Sequence, residues 1–209
     1  MTWIKICGIT NSDDAEKAVA LGADALGFIF ASSLRKVLPE RVREITAGLP
    51  ESVEKIGVFL NHPEEQVREI AGFCRLTGLQ FHGSEPLDYC MKFQDFDVIK
   101  VFRINKKIDR HEISPYLKGR AIRRIILDTF VLDKPGGTGK RFPWELVTEQ
   151  DWIGVPIIIA GGITPKNARV VIRQAKPFGI DVSSGVEKKP GCKDEYKMKL
   201  LIEQVREAK

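Results

Sequence analysis

The sequence is poor in the residues that hold metals or cross-link small folds. Its 209 residues include only four cysteines and three histidines. No two cysteines stand at C-x-x-C spacing, so neither a zinc site nor a disulfide framework is supported. No apolar run approaches the roughly 18–20 residues of a bilayer-spanning helix, so no membrane is expected. The first strand pattern lacks a G-x-G-x-x-G turn, which counts against an open dinucleotide-binding sheet. Basic residues cluster at Lys118-Gly119-Arg120 and Arg123-Arg124, but no aromatics alternate with them, and no nucleic-acid partner is expected. No shift in composition marks a boundary, so residues 1–209 read as one domain. The chain opens MTWIKICGIT, entering a strand pattern without the composition of a signal peptide, and a cytoplasmic setting is the expectation.

What is present describes an ordinary globular chain, with 43% apolar and 29% charged residues. The net charge of +5 is modest and suits a small anionic substrate. Strand and helix patterns alternate about eight times. Strands are predicted at 3–7, 24–30, 54–60, 79–81, 97–103, 124–127, 156–160 and 179–182. Helix starts are marked by Asn11-Ser12-Asp13-Asp14, Pro39, Pro63, Pro86 and Thr164-Pro165. A helix at about 109–118 contains Pro115, another begins near Pro143, and the last runs from about Asp194 to Glu207. Eight such repeats with short connections predict a parallel sheet closed into a single-domain (β/α)8 barrel.

Two strand ends are bare. Pro156–Ala160 runs into Gly161-Gly162, and GIDV at 179–182 runs into Ser183-Ser184-Gly185. Small residues after a strand expose N–H groups and hydroxyls, the chemistry of a phosphate cradle. The strand count puts them seventh and eighth, where such barrels commonly hold phosphate. The same end of the barrel would carry Cys7, Arg35, His82, Arg103 and Asp128 around one pocket. Each has two readings. Cys7 is a buried apolar thiol, or a thiolate acting as base or nucleophile. Asp128 braces a loop, or is a desolvated acid whose pKa rises toward neutrality. Arg35 is a surface residue or a fork for a carboxylate. His82 binds substrate or, the favoured reading, braces a loop. Gly136-Gly137-Thr138-Gly139 is a mobile lid or an idle loop. Cys74 and Cys90 fall in helix-like segments as small buried side chains, and Cys192 lies in a Pro-Gly loop.

Taken together, KICGIT at 5–10, GVF at 57–59, QFHG at 80–83, LDT at 127–129, GGTG at 136–139, AGGITP at 160–165 and DVSSGVE at 181–187 resemble the phosphoribosylanthranilate isomerase family. The motifs span nearly the whole chain in the family's order. The resemblance implies a barrel of the ribulose-phosphate-binding type and an Amadori rearrangement that uses neither cofactor nor metal. It also implies roles: Asp128 as general acid, Cys7 as general base, Arg35 on the anthranilate carboxylate, and Gly161, Gly162, Ser183, Ser184 and Gly185 on the phosphate. Asp181 would lie beside the ribose hydroxyls. The loop Phe30-Ala31-Ser32-Ser33-Leu34-Arg35-Lys36 departs from the family's usual Ser-Pro-Arg or Ser-Lys-Arg and is one residue shorter. Arg35 keeps its spacing to Pro39 and is chosen over Lys36. Phe142-Pro143-Trp144 replaces the more usual Phe-Asp-Trp. A histidine-pathway type of isomerase is disfavoured because the first half has no second cradle. An idle barrel that only binds a sugar phosphate stays open, as does the choice between monomer and homodimer.

Overall fold

The computed structural model describes residues 1–104, 107–117, 122–129, 143–148, 152 and 154–208. Eight strands form in order: β1 (Trp3–Cys7), β2 (Ala25–Ile29), β3 (Glu54–Phe59), β4 (Gly78–Phe81), β5 (Asp97–Ile104), β6 (Arg124–Thr129), β7 (Ile157–Ala160) and β8 (Gly179–Val182). Each pairs in parallel with the next, and β8 pairs with β1, so the sheet closes on itself. The eight-stranded barrel expected from the alternation is therefore the fold. Between strands run α1 (Ser12–Ala20), α2 (Pro39–Ala47), α3 (Glu64–Phe73), α4 (Leu87–Met91), α5 (Arg110–Leu117) and α6 (Ala168–Ala175), with α7 (Glu195–Arg206) last.

Strand alternation divides the core in two. On β1, Ile4 and Ile6 pack outward against helices, while Trp3 points into the barrel with Ala25, Ile56, Ile99, Val101, Ile126, Ile158 and Ala160. Side chains of the same parity as these inner residues must point inward too. That rule carries Lys5 and Cys7 of β1, Gln80 of β4, Asp128 of β6 and Asp181 of β8 into the barrel. The bottom is closed by a polar plug. Trp3 donates to Glu54 at 3.0 Å, and Arg124 reaches both Glu54 and Asp97 while its guanidinium stacks 4.7 Å from the Trp3 ring. With the barrel interior filled at the bottom, the opposite end is the one left open to its inward-pointing side chains.

Local chemistry explains most boundaries. Asn11 caps α1 by accepting from Asp14 N at 2.8 Å, with Asp13 and Asp14 favourably placed in the first turn. Pro39 opens α2 at a position where its missing N–H is harmless. α5 continues through Pro115 to Leu117. The helix expected from Thr164-Pro165 starts later, at Ala168. Asn167 accepts from Thr164 N at 2.8 Å and donates to Gly162 O at 2.9 Å, folding residues 164–167 into a turn first. Pro143 precedes a short 3-10 turn, Trp144–Val147, in place of the expected helix. After β8 the sequence reading saw only a loop. The structure forms a 3-10 turn at Ser184–Val186 and then a hairpin of β9 (Glu187–Lys189) and β10 (Cys192–Lys193). Cys192 thus lies in a strand, half-buried, and Cys74 and Cys90 are buried as expected. No described helix is long and apolar enough to cross a membrane.

Candidate active site

At the C-terminal ends of the strands lies a cavity of about 880 Å³, counted out to its open mouth. Cys7, Arg35, His82 and Asp128 line it together with the glycines after β7 and the serines after β8. The structure thus brings together residues 7, 35, 82, 128, 161, 162, 181, 183, 184 and 185. Arg103 is not among them. It stands next to last on β5, at the inward parity of Ile99 and Val101, and is exposed without lining the cavity. Lys36 is exposed and also lies outside the lining. The glycine loop 136–139 and the basic stretch 118–120 fall outside the described residues.

Cys7 ends β1 with only 7% of its surface exposed. Its register partner on β2 is Gly27, and a Cβ there would stand 2.8 Å from the Cys7 sulfur and 2.9 Å from Lys5 Nζ. Glycine at 27 leaves the room that both side chains occupy. Burial pushes the Cys7 thiol above its ordinary range, and the nearby Asp181 carboxylate adds to this, against the pull of the Lys5 and Lys193 ammonium groups. In the free protein Cys7 is therefore held toward the protonated thiol.

Lys5 sits fully enclosed below Cys7. Its ammonium donates to Gln80 Oε1 at 2.8 Å and to Asp181 Oδ2 at 3.0 Å. Burial alone would lower its pKa, but Asp181 and Cys7 overturn this and the net direction is upward. The other Asp181 oxygen, Oδ1, is buried and has no protein partner among the described residues. It is a free acceptor at the cavity wall.

Asp128, next to last on β6, lines the same cavity. Its Oδ1 accepts from Thr129 N at 2.7 Å, and its Oδ2 lies 3.4 Å from His82 Nε2. Among the described residues His82 Nε2 makes no hydrogen bond. His82 Nδ1 lies 3.4 Å from Gln80 Nε2. His82 lines the cavity beside Asp128.

The bare strand ends meet as expected. Gly161 and Gly162 adopt φ of +83° and +67°, the left-handed region that glycine enters without penalty. Neither N–H donates to a backbone carbonyl among the described residues. A Cβ on Gly161 would strike Thr129 and Asp128, and one on Gly185 would strike the Ile163 carbonyl. Loops after β7 and β8 thus approach so closely that side chains are excluded and backbone lines the space between them. Ser183 Oγ is buried without a partner among the described residues.

Arg35 is not a free fork. Its Nε and Nη2 donate to the two oxygens of Glu187 at 2.8 and 2.7 Å, and this pairing raises its pKa. Glu187 also accepts from Lys193 Nζ at 2.9 Å. Burial would raise the Glu187 pKa, yet Arg35 and Lys193 together hold it below the ordinary carboxylate range. Lys5, Gln80, Glu187 and Lys193 were not singled out from sequence. For Lys5 a signal exists: a lysine at the inward parity of a parallel barrel strand needs a buried counter-charge.

The family profile described as N-(5'phosphoribosyl)anthranilate (PRA) isomerase matches residues 4–204. The protein named N-(5'-phosphoribosyl)anthranilate isomerase from Desulforudis audaxviator is 42% identical over 212 residues, covering 100% of both chains. The crystal structure of phosphoribosyl anthranilate isomerase from Thermotoga maritima superposes with a TM-score of 0.89 at 37% identity and covers 99% of each chain. A solved structure of phosphoribosyl anthranilate isomerase in complex with reduced 1-(o-carboxyphenylamino)-1-deoxyribulose 5-phosphate superposes with a TM-score of 0.85 at 36% identity and covers 99% of each chain. Glycine- and serine-ended strands, a thiol and a carboxyl around one cavity, and agreement along the full length lead to one placement. This chain belongs to the N-(5'-phosphoribosyl)anthranilate isomerase family.

Proposed function

We propose that the chain converts N-(5-phosphoribosyl)anthranilate to 1-(2-carboxyphenylamino)-1-deoxyribulose 5-phosphate, an isomerisation in tryptophan biosynthesis. Asp128 gives a proton to the furanose ring oxygen while the anilino nitrogen lone pair expels the C1–O bond, leaving a protonated Schiff base. Cys7 takes the proton from C2, and the C2–H electrons move toward nitrogen to form an enolamine. Loss of the enol proton and gain of a proton at C1 give the ketone. No electrons leave the substrate, so the reaction itself calls for acid and base groups and no redox partner.

The observation that carries this reading is the single cavity lined by both Cys7 and Asp128, with the backbone-lined gap between the β7 and β8 loops at its edge. In the proposal that gap takes the phosphate through Gly161, Gly162, Ser183, Ser184 and Gly185. The free Oδ1 of Asp181 accepts from a ribose hydroxyl. Arg35 offers the substrate carboxylate its Nη1 edge, the one that Glu187 does not use. His82 Nε2 lies 3.4 Å from the acid's second oxygen. Four free cysteines suit a reducing, cytoplasmic setting.

The test is turnover of phosphoribosylanthranilate, generated in place and followed by its fluorescence, in the wild type, Cys7→Ser and Asp128→Asn. Turnover in the wild type that falls by at least about 10²-fold in each variant, with phosphate affinity kept, supports the reading. A wild type that binds phosphate but does not turn over overturns the reaction and leaves a sugar-phosphate-binding barrel.

A further inference from the structure

One buried cation ties together parts of the site that the chain places far apart. Lys193, on β10, has a side chain with no exposed surface. Its ammonium reaches three acceptors: Cys7 O at 2.5 Å, Glu187 Oε1 at 2.9 Å and Ser183 O at 3.4 Å. An ammonium has three hydrogens, so the set saturates it. The acceptors belong to three different functional elements. Cys7 O is the main chain of the residue proposed as base. Ser183 O is the main chain of the phosphate end. Glu187 is the carboxylate that clamps Arg35 through both oxygens.

The hairpin around Lys193 is itself anchored. Pro190 and Gly191 make its two-residue turn, with Gly191 at φ +76°. Gly191 O accepts from Thr10 Oγ1 at 2.6 Å, which docks the turn on the loop after β1. Lys193 N donates to Asp14 Oδ2 at 2.8 Å, and Lys197 Nζ donates to Glu187 O at 2.7 Å. A hairpin needs no enclosed ammonium to fold, and burying one is costly unless every hydrogen finds a partner. Lys193 meets that condition only by binding the site.

Resting on the proposed isomerase reading, we propose that Lys193 is a positioning residue. It holds the Cys7 main chain, the Ser183 main chain and, through Glu187, the Arg35 guanidinium at one fixed spacing. The base, phosphate and carboxylate contacts then fit the substrate together. Two cations and one anion leave this cluster with a net positive charge beneath a site that takes an anion.

The test compares Lys193→Met with Arg124→Met, which loosens the plug at the far end of the barrel and touches no site residue. Each is assayed for Tm, for kcat and KM on phosphoribosylanthranilate, and for affinity toward inorganic phosphate. A displacement of about 1 Å among reacting groups is worth on the order of 10²-fold in rate. Lys193→Met should therefore lose about 10²-fold in kcat per folded molecule and bind phosphate more weakly, with Arg124→Met near wild type in both. Equal kcat and phosphate affinity in the two variants, with only Tm lowered, would overturn the proposal.

Should Lys193→Met fail to fold, Glu187→Gln decides. It keeps the shape and removes the charge shared by Arg35 and Lys193, so KM should rise by about ten-fold, and wild-type constants would overturn the proposal. An idle wild type removes the isomerase reading first. Phosphate affinity then judges Lys193 alone, since the Ser183 contact does not depend on the reaction.

Discussion

Lys5 and Asp181 face each other at paired positions of β1 and β8 and meet at 3.0 Å, with the ammonium fully enclosed and the carboxylate 8% exposed. Removing one partner of such a pair leaves a buried charge without compensation, at about 3–5 kcal/mol. Lys5→Met should lower unfolding stability in urea by that amount. Lys5→Met with Asp181→Asn should recover part of the loss. Equal stability of the single variant and the wild type would show the pair to be dispensable.

The pH dependence follows from Cys7. A base must be deprotonated to act, and burial lifts this thiol above its ordinary range. The kcat should therefore rise with pH and keep rising through the range where an exposed thiol has already titrated. The upward limb should vanish in Cys7→Ser, leaving a flat residual rate. A profile level from pH 6 upward in the wild type would remove Cys7 as the group that limits the rate.

Two glycines separate backbone strain from a steric block. Gly22, at φ +99°, has nothing within 4 Å of an added Cβ. Gly22→Ala should cost about 1–2 kcal/mol of stability and leave kcat and KM unchanged. Gly185→Ala drives a methyl into the Ile163 carbonyl across the phosphate gap. Its KM should rise by about ten-fold or more, and titration with inorganic phosphate should show the same loss.

Arg35→Lys keeps a cation but cannot span Glu187 with two parallel donors. KM for phosphoribosylanthranilate should increase by about ten-fold, with kcat within about three-fold of wild type. Steady-state kinetics at fixed pH checks this. A fall in kcat with KM unchanged would move Arg35 from carboxylate binding to the chemical step.

The sequence by itself determined the barrel, because period-two strands and capped helices are local signals and eight of them allow few closures. It also picked out residues that line the cavity, since strand ends after β1, β6, β7 and β8 carry Cys7, Asp128, Gly161-Gly162 and Ser183-Ser184-Gly185. Closure of the sheet then puts all of these around one mouth. Only the tertiary structure decided the charges. Lys5 lies 176 positions from Asp181, and Arg35 lies 152 from Glu187. No periodicity links such partners, yet they set which ionised groups can be buried. Two residues of the strand ends show the same limit. Arg103 has the right place in the sequence but stands exposed outside the cavity. Cys7 has the right place too, but its protonation is set by Lys5, Asp181 and Lys193 packed around it, which come from both ends of the chain.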